Sequence, residues 1–561
     1  MASDIHANAS SAGDSHAPIP VWMAYRRPIR SLDGTIRKWE RFPPLDSEIL
    51  ENAFISNIST DIEVQFGRYF ANVPDRWLKS YYWLENRWAI VRGTWFWKDP
   101  LDGTLCPFGE ADAATIEEAY QDIRSGIEEG PIDCELVDTD IVAGTVQFVR
   151  ETTAAPVPAS ALSPQTVTRI THVLYRQLSG GRVDRLETHR NFPTPWVTRG
   201  EEQLTSSPSH LVLLVHGIGE ALYNRQNDPL MGSLRFRGNC DLVREALNDK
   251  LLVSNPGAGR IEVLPVEWSQ CIHSNVLDRQ LESVTLPNLQ SVRDFANLAL
   301  TDVFLYTQRN VKDKLIREIK LKIVSLVKKF QNKNPTVPIS FIGHSLGSVV
   351  LYDLFSSPID IGEVEEQILI EPSALFFLGS PLAMFITIRE ENRLKLPLYA
   401  NCRLFNVFHP FDAIAYRLEP LVDPRAKDIE PELVPYRGGH RVHVALRKTV
   451  SDFKSVLVGW TEWISRGEVR TGATPPPEPV VEERRNIPPL STEPAALKAV
   501  RSQNYNERID WALQESAVES VSEWVSAVSS HFTYWRHDDV ATFIVDRLKR
   551  IADAKEKGAF L

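Results

Sequence analysis

Short apolar runs and longer amphipathic stretches alternate from about residue 210 onward. The runs carry few charged residues, as expected of parallel strands buried on both faces, and they lie at 210–215, 261–268, 339–342, 374–380 and 404–408. Before the third run, residues 311–330 repeat apolar side chains at helical spacing with lysines between them, which predicts an amphipathic helix. Strands alternating with helices predict an α/β protein with a doubly wound, mostly parallel sheet.

The region before residue 150 has a different pattern, rich in aromatic side chains. Four of them precede a predicted helix at 46–54, and these are Trp22, Tyr25, Trp39 and Phe42. The pattern then recurs, with aromatic strands at 92–97 and 106–108 ahead of a second predicted helix at 113–120. The sequence therefore predicts a small N-terminal α+β region in which one pattern is used twice.

Three stretches of unusual composition divide the chain. Residues 1–20 are small and polar, residues 151–166 are rich in Thr, Ala, Pro and Ser, and residues 471–493 are rich in Pro and Glu. The first and last are predicted to be disordered because such compositions cannot bury a core, and the middle one is predicted to be a linker. Three ordered regions remain, at 21–150, 167–470 and 494–561.

Length and charge narrow the class of protein. A chain of 561 residues exceeds a single core, so two or three domains are expected. The net charge of -11 disfavours a nucleic-acid surface and limits any contact with anionic lipid to a local patch. Five scattered cysteines, no signal-peptide pattern and no long apolar run predict a cytoplasmic protein that is either soluble or peripherally associated with intracellular membranes. The oligomeric state is open, and a homo-oligomer is one alternative.

The run at 339–342 leads into the sequence Gly-His-Ser-Leu-Gly at 343–347. This G-x-S-x-G spacing is typical of a nucleophile elbow, a tight turn that joins a strand to a helix and exposes a serine hydroxyl. Gly343 and Gly347 leave room for the turn, and Ser345 is the candidate nucleophile. The motif predicts an α/β-hydrolase-like sheet around this strand.

Two backbone N–H groups are candidates for an oxyanion hole. Leu346 follows the candidate nucleophile at the start of the predicted helix, so its N–H points to where an oxyanion would form. A His-Gly pair at 216–217 ends another buried strand, and such a turn supplies the second N–H in serine hydrolases, here from Ile218 or Gly219.

A nucleophilic serine needs a base and an acid, which follow it in the chain order Ser, Asp or Glu, His. Asp412 lies just past a predicted strand, where catalytic groups gather in open α/β sheets, and is the first candidate for the acid. Asp510 beside Trp511 is the alternative, because chain order permits both. The candidate base is His531, whereas His409 precedes the acid. His440 and His443 lie on a predicted edge strand, where their spacing sends them to opposite faces.

Six ordered motifs resemble those of the DDHD-domain intracellular phospholipase A1 family, and they lie at 302–307, 343–348, 377–382, 406–420, 508–514 and 530–535. The aromatic region at 21–150 resembles the WWE-like region that precedes the catalytic part in this group. The family takes its name from three aspartates and a histidine, which here match Asp412, Asp510, His531 and Asp539. The resemblance implies an intracellular enzyme that hydrolyses the sn-1 acyl ester of glycerophospholipids such as phosphatidic acid, at a membrane surface.

The expected chemistry is a Ser345, His531 and Asp412 triad with an acyl-serine intermediate, needing neither a metal nor a cofactor. The acidic pair at 538–539 follows an arginine and a histidine, and we interpret it as the start of a helix and not as a metal site. Two alternatives remain: a serine esterase or transacylase acting on another lipid, and an adaptor with a WWE-like region and a silent hydrolase domain.

Overall fold

The computed structural model divides into two compact units, at Met1–Thr198 and Arg199–Leu561. It describes residues 17–31, 34–83, 87–100, 103–126, 132–135, 144–154, 166–177, 183–193, 200–217, 236–268, 306–356, 370–391, 393–396, 401–435, 493–514, 531 and 533–556. The predictions for residues 1–16, for 471–492, for Ile218 and Gly219, and for His440 and His443 lie outside these residues.

The first unit begins with a six-stranded antiparallel sheet in the order β2-β1-β6-β5-β4-β3, with helix α1 after the second strand. Its strands are β1 Val21–Ser31, β2 Gly34–Arg41, β3 Ile62–Val64, β4 Tyr69–Asn72, β5 Trp77–Ser80 and β6 Trp88–Gly93, and α1 is Pro44–Ile55. Trp22 and Ala24 of β1 face a core that includes Leu50 of α1, while their neighbours Val21 and Met23 face a second core. Both faces of β1 are therefore buried at residues 21–24, consistent with the apolar run there.

A second antiparallel sheet repeats this plan in the order β8-β7-β12-β11-β10-β9, again with a helix after the second strand. Its elements are β7 Trp95–Lys98, β8 Leu105–Pro107, α2 Glu110–Ser125, β9 Ile132–Glu135, β10 Gly144–Ala154, β11 Thr166–Gln177 and β12 Val183–Arg190. The strand order and helix position match those of the first sheet, so the recurrence predicted from the aromatic pattern is confirmed.

One set of contacts is repeated in both halves of the first unit. Trp22 Nε1 donates to Glu51 Oε2 at 3.0 Å, and Arg92 donates to both oxygens of that carboxylate at 2.7 and 2.8 Å. The same contacts recur in the second half between Trp95, Glu117 and Arg190. In each half the Trp and Arg face each other on the first and last strands, and the Glu comes from the helix. An equivalent, partly buried ion pair thus links the helix to the sheet in each half.

The boundary between the units differs from the one predicted. Strands β10 and β11 pair antiparallel up to Ala154 and Thr166, so both ends of the expected linker at 151–166 belong to one hairpin. Strands β11 and β12 complete the second sheet of the first unit. The second unit begins at Arg199 and not at residue 167 as expected.

The second unit is built on a seven-stranded sheet in the order β14-β13-β15-β16-β17-β19-β18, in which every pairing is parallel. Its strands are β13 Thr205–Val215, β14 Gly259–Val266, β15 Ile339–His344, β16 Pro372–Leu378, β17 Arg403–Phe408, β18 Glu432–Leu433 and β19 Asp510–Ala512. The predicted mixed α/β architecture with a mostly parallel sheet is confirmed.

Helices of the second unit connect and cover these strands, at α3 Gly200–Gln203, α4 Phe236–Ser254, α5 Arg309–Gln331, α6 Leu346–Ser356, α7 Leu382–Ile388, α8 Glu419–Val422, α9 Ala495–Gln503 and α10 Asp538–Glu556. The amphipathic helix predicted at 311–330 is α5, which buries Leu315, Ile319, Ile323 and Phe330. The chain places β14 on one side of β13 and β15 on the other. The gap between β13 and β15 is therefore the switch point of the sheet, where open α/β sheets place their ligand sites.

Candidate active site

Ser345 occupies a strained turn between strand β15 and helix α6. Its φ of 52° lies in the left-handed region that side chains other than glycine rarely adopt. A Cβ atom on Gly343 would lie 2.7 Å from Ser348 Cα, and one on Gly347 would collide with the backbone of Val215. The predicted strand, tight turn and helix are confirmed, and the two glycines are required by close contacts with backbone atoms.

The end of strand β13 lies directly against Ser345. A Cβ atom on Gly217 would lie 2.7 Å from Ser345 Cβ, so only a glycine fits beside the serine. His216 fixes this turn, because its Nε2 accepts from the Trp268 N–H at 3.0 Å and its Nδ1 lies 2.8 Å from the Gly217 carbonyl. The indole of Trp268 also stacks on the imidazole, with ring centroids 4.5 Å apart. The His-Gly turn and the serine thus meet at the switch point of the sheet.

Leu346 is the first residue of helix α6. The first N–H groups of a helix have no carbonyl acceptor within it, so the Leu346 N–H is available to a negatively charged oxygen at this end. The second predicted donor, Ile218 or Gly219, lies outside the residues that the structure describes.

His531 and Asp412 are in direct contact, although they are far apart in the sequence. His531 Nδ1 lies 3.0 Å from Asp412 Oδ1 and 2.9 Å from Oδ2. Tyr534 donates its hydroxyl to Asp412 Oδ2 at 2.7 Å, and the Ile414 N–H donates to Oδ1 at 2.9 Å. The aspartate and the histidine are both almost fully buried, at 5 % and 2 % exposure. Asp412 therefore fixes the ring of His531 and stabilises a positive charge on it.

The pKa of Asp412 is lowered by its donors. Burial by itself would raise this pKa, but the hydrogen bond and charge of His531 and the hydrogen bond from Tyr534 lower it below its ordinary value. A carboxylate with a lowered pKa remains negative at neutral pH. Tyr534 has its own pKa raised, by burial and by the charge of Asp412, so it remains a donor.

The Asp412 and His531 pair lies beside the serine turn, against Gly379 at the end of the neighbouring strand β16. The Ser345 N–H donates to the Leu378 carbonyl at the end of β16, 3.0 Å away. The next residue, Gly379, has a φ of 59°, and a Cβ atom there would lie 2.7 Å from Asp412 Oδ2 and 3.1 Å from His531 Nδ1. Gly379 is thus the point at which the serine turn and the acid and base converge.

Gly379 and Tyr534 were not singled out as site residues from the sequence. Both lie inside motifs that carry the family resemblance, at 377–382 and 530–535. The two motifs therefore pointed to this part of the site. Nothing in the sequence indicated that Tyr534 contacts the Asp412 carboxylate or that Gly379 leaves space for it.

Asp510 belongs to a different network. Its carboxylate accepts hydrogen bonds from Asn406 Nδ2 at 3.0 Å, from Arg417 Nε at 3.1 Å, and from the backbone N–H groups of Leu418 at 2.9 Å and Glu419 at 3.2 Å. All of these donors come from β17 and the segment that follows Asp412. Asp510 is located on strand β19, and its contacts hold the end of the loop that carries Asp412.

A second buried carboxylate completes this network. Glu419 Oε1 and Oε2 accept from Arg508 Nε and Nη2 at 2.8 and 2.7 Å, and Oε1 also accepts from the Asp510 N–H at 3.2 Å. Burial and the nearby charge of Glu419 raise the pKa of Asp510. Two buried carboxylates and two arginines, Arg417 and Arg508, thus tie strand β19 to the loop.

Asp539 lies in the first turn of α10, which begins at Asp538, so the predicted helix start is confirmed. Its backbone N–H lies 3.3 Å from His537 Nδ1. Among the described residues, no group of three or more His, Cys, Asp or Glu side chains could hold a metal ion. None of the helices in the described ranges is long and apolar enough to span a bilayer.

Part of the chain matches a known protein family. Residues 369–474 and 477–549 match the DDHD domain, a span that includes Asp412, Asp510, His531 and Asp539. The chain contains a DDHD domain. Ser345 precedes the matched span, so the candidate nucleophile and the candidate acid and base come from different parts of the sequence. No solved structure matches the chain.

Curated relatives extend the similarity beyond the DDHD domain. A human protein named Triacylglycerol hydrolase DDHD2 is 23 % identical over 96 % of this chain and 94 % of its own length. A Caenorhabditis elegans protein named Intracellular phospholipase A1 is 26 % identical over 66 % of this chain and 48 % of its own length. The mouse SEC23-interacting protein is 22 % identical over 91 % of this chain and 71 % of its own length.

Proposed function

We propose that this DDHD-domain protein is a lipid acyl hydrolase that uses Ser345 as nucleophile, His531 as general base and Asp412 as the acid that orients the base. The observation that carries the proposal is the contact of His531 Nδ1 with both oxygens of Asp412, beside a serine in a left-handed turn. With Nδ1 bound to the carboxylate, the other ring nitrogen is the one that exchanges a proton with the serine. The second unit is then an α/β-hydrolase-like domain.

In the first half of the reaction, His531 Nε2 takes the proton of the Ser345 hydroxyl as Oγ attacks the ester carbonyl carbon. The carbonyl oxygen becomes an oxyanion that accepts from the Leu346 N–H and from a second N–H of Ile218 or Gly219. The tetrahedral intermediate then collapses, the ester C–O bond breaks, and the imidazolium gives its proton to the departing alcohol. An acyl-serine remains.

In the second half, a water molecule gives one proton to His531 and attacks the acyl carbon. The bond from carbon to Ser345 Oγ breaks, and the serine recovers its proton from the imidazolium. Asp412 remains negative throughout and stabilises each imidazolium, which agrees with its lowered pKa. The products are a free fatty acid and a lipid with one acyl chain fewer.

The proposed substrate is a glycerophospholipid such as phosphatidic acid, cut at the sn-1 ester at the surface of an intracellular membrane. Two observations support this choice: the resemblance to intracellular phospholipase A1 in six motifs, and the relative with that name. Triacylglycerol is the second candidate, because a relative that aligns with 96 % of this chain is named a triacylglycerol hydrolase. Within this proposal the duplicated first unit is the WWE-like region.

The test is an assay of the purified full chain on vesicles of phosphatidic acid, phosphatidylcholine and phosphatidylethanolamine and on triacylglycerol emulsions. Ser345→Ala is expected to abolish release of fatty acid on every lipid while the thermal transition is retained. Identification of the released and retained chains on mixed-chain lipids gives the position of cleavage. Activity retained by Ser345→Ala would refute the proposal.

Ser340→Ala is a matched control for this experiment. Ser340 lies on strand β15, which leads into the turn of Ser345, and is fully buried, and its hydroxyl has no hydrogen-bond partner among the described residues. The same atom is removed five residues earlier in the chain, so near-normal turnover by Ser340→Ala assigns the loss in Ser345→Ala to chemistry.

A further inference from the structure

His344 stands between the proposed nucleophile and the proposed base. It is the last residue of β15, joined to Ser345 by a peptide bond, and it is 4 % exposed. Its Nε2 lies 2.8 Å from the backbone carbonyl oxygen of His531. A carbonyl oxygen accepts and does not donate, so Nε2 carries the hydrogen of this bond.

The ring of His344 is packed among the residues that hold the base. Its centroid lies 4.8 Å from that of the His531 ring, 4.7 Å from Trp535 and 5.9 Å from Tyr534. Burial, followed by the charge of His531, lowers the pKa of His344 to about 3. The ring is therefore neutral at physiological pH, and it adds no second positive charge when His531 becomes an imidazolium.

We propose that His344 is a positioning residue that sets the distance between Ser345 and His531, through one peptide bond to the serine and one hydrogen bond to the backbone of the base. This inference rests on the proposed function. Asp412 fixes the direction of the His531 ring, and His344 fixes where its backbone lies relative to the serine turn. Both constraints matter because a displacement of about 1 Å between reacting groups lowers turnover by about 10²-fold.

Two substitutions separate the hydrogen bond from the packing of the ring. His344→Phe retains a planar ring against His531 and Trp535 but removes the donor. His344→Gln removes the ring but retains an amide N–H that reaches about as far from the backbone as Nε2. If the ring of His344 acts only through packing, the Phe variant should be the more active one. If the N–H donor positions His531, the Gln variant should be the more active one.

The experiment measures kcat and KM of the full chain on a vesicle substrate, and the rate at which a fluorophosphonate probe labels the active serine. We expect His344→Phe to lower both kcat and the labelling rate by about 10- to 100-fold with KM within about twofold. His344→Gln should have a kcat and a labelling rate at least about tenfold higher than those of His344→Phe. Wild-type rates in His344→Phe, or equal losses in both variants, would overturn the inference.

Two further points make the result decisive. Where His344→Phe does not accumulate as folded protein, His344→Asn replaces it, because its shorter amide is polar but cannot reach the His531 carbonyl. Faster turnover in Gln than in Asn then supports the inference, and equal rates refute it. Failure of the proposed function itself looks different, since wild-type protein would resist the probe or Ser345→Ala would retain activity.

Discussion

Asp412 and Asp510 are both buried aspartates of the DDHD domain, and each accepts several hydrogen bonds, yet their partners differ in kind. Asp412 is bound by an imidazole, a phenol and one backbone N–H. Asp510 is bound by a guanidinium, a side-chain amide and two backbone N–H groups. An imidazole exchanges a proton near neutral pH, whereas a guanidinium and an amide do not. Under the proposed function, a buried carboxylate thus serves proton transfer or structure according to the donors that surround it.

The two carboxylates also respond to pH in opposite directions. The pKa of Asp412 is lowered on folding, so its ionisation stabilises the protein above the unfolded pKa of about 3.9, and that contribution is lost as the pH falls through the lower folded pKa. The pKa of Asp510 is raised on folding, so its ionisation costs stability, and that cost is relieved as the pH falls from the raised pKa toward about 3.9.

The largest effect is expected from Asp412→Asn. Asparagine keeps one acceptor oxygen but lacks the negative charge, and its NH2 group can donate to Nδ1 and favour the wrong tautomer of His531, so turnover should fall by about 10⁴-fold. The measurement is kcat on a vesicle substrate, with circular dichroism to compare the folded fractions. Near-normal turnover at a matched folded fraction would exclude Asp412 as the triad acid.

Asp510→Asn should act mainly on stability. The variant leaves Arg417 and two backbone N–H groups with one acceptor oxygen in place of two, around a side chain that is fully buried. Leaving a buried donor without its acceptor costs about 1–3 kcal/mol per group, which would lower the urea midpoint. Turnover per folded molecule should fall far less than in Asp412→Asn. A stable Asp510→Asn with the deeper catalytic loss would reverse the roles of the two aspartates.

Tyr534→Phe should give the smallest effect of the three substitutions. Its effect on stability should also depend on pH, because the lost hydrogen bond is to Asp412. The variant removes a donor 2.7 Å from Asp412 Oδ2, worth about 1.5–3 kcal/mol for a charged acceptor, and turnover should fall by about tenfold or more. The pKa of Asp412 then rises toward its ordinary value. The stability difference from wild type should shrink as the pH falls from 7 to about 3. Urea midpoints of the variant and of wild type at the two pH values measure this stability difference. A difference that is the same at both pH values would contradict the role of Tyr534 as a donor that lowers the pKa of Asp412.

The sequence predicted the features that depend on local pattern. The apolar runs located the parallel strands, the spacing of Gly343, Ser345 and Gly347 located the turn, and the lysine-flanked repeat located α5. The recurring aromatic residues predicted the duplicated first unit. Each of these signals lies within one short stretch, where burial and turn geometry act directly on neighbouring residues.

Features that depend on distant pairing were not predictable in the same way. The hairpin of β10 and β11 encloses the stretch that resembles a linker, because its pairing extends to Ala154 and Thr166 whatever the composition between them. Chain order left Asp412 and Asp510 equally allowed as partners of His531. The contact of Asp412 with that histidine depends on how the loop after β17 is held by Asp510, which no local pattern encodes.

The wide separation of Ser345 and His531 has a consequence for protein synthesis. The strands around the serine precede the proposed base in the chain, and at about 5–20 residues per second the ribosome needs roughly 10–40 s to pass from one residue to the other. During that interval a nascent chain carries the proposed nucleophile without its proposed base. Under the proposed function, a chain that terminates early is inert toward lipid, and hydrolysis begins only after the segment that carries His531 has been translated and has docked.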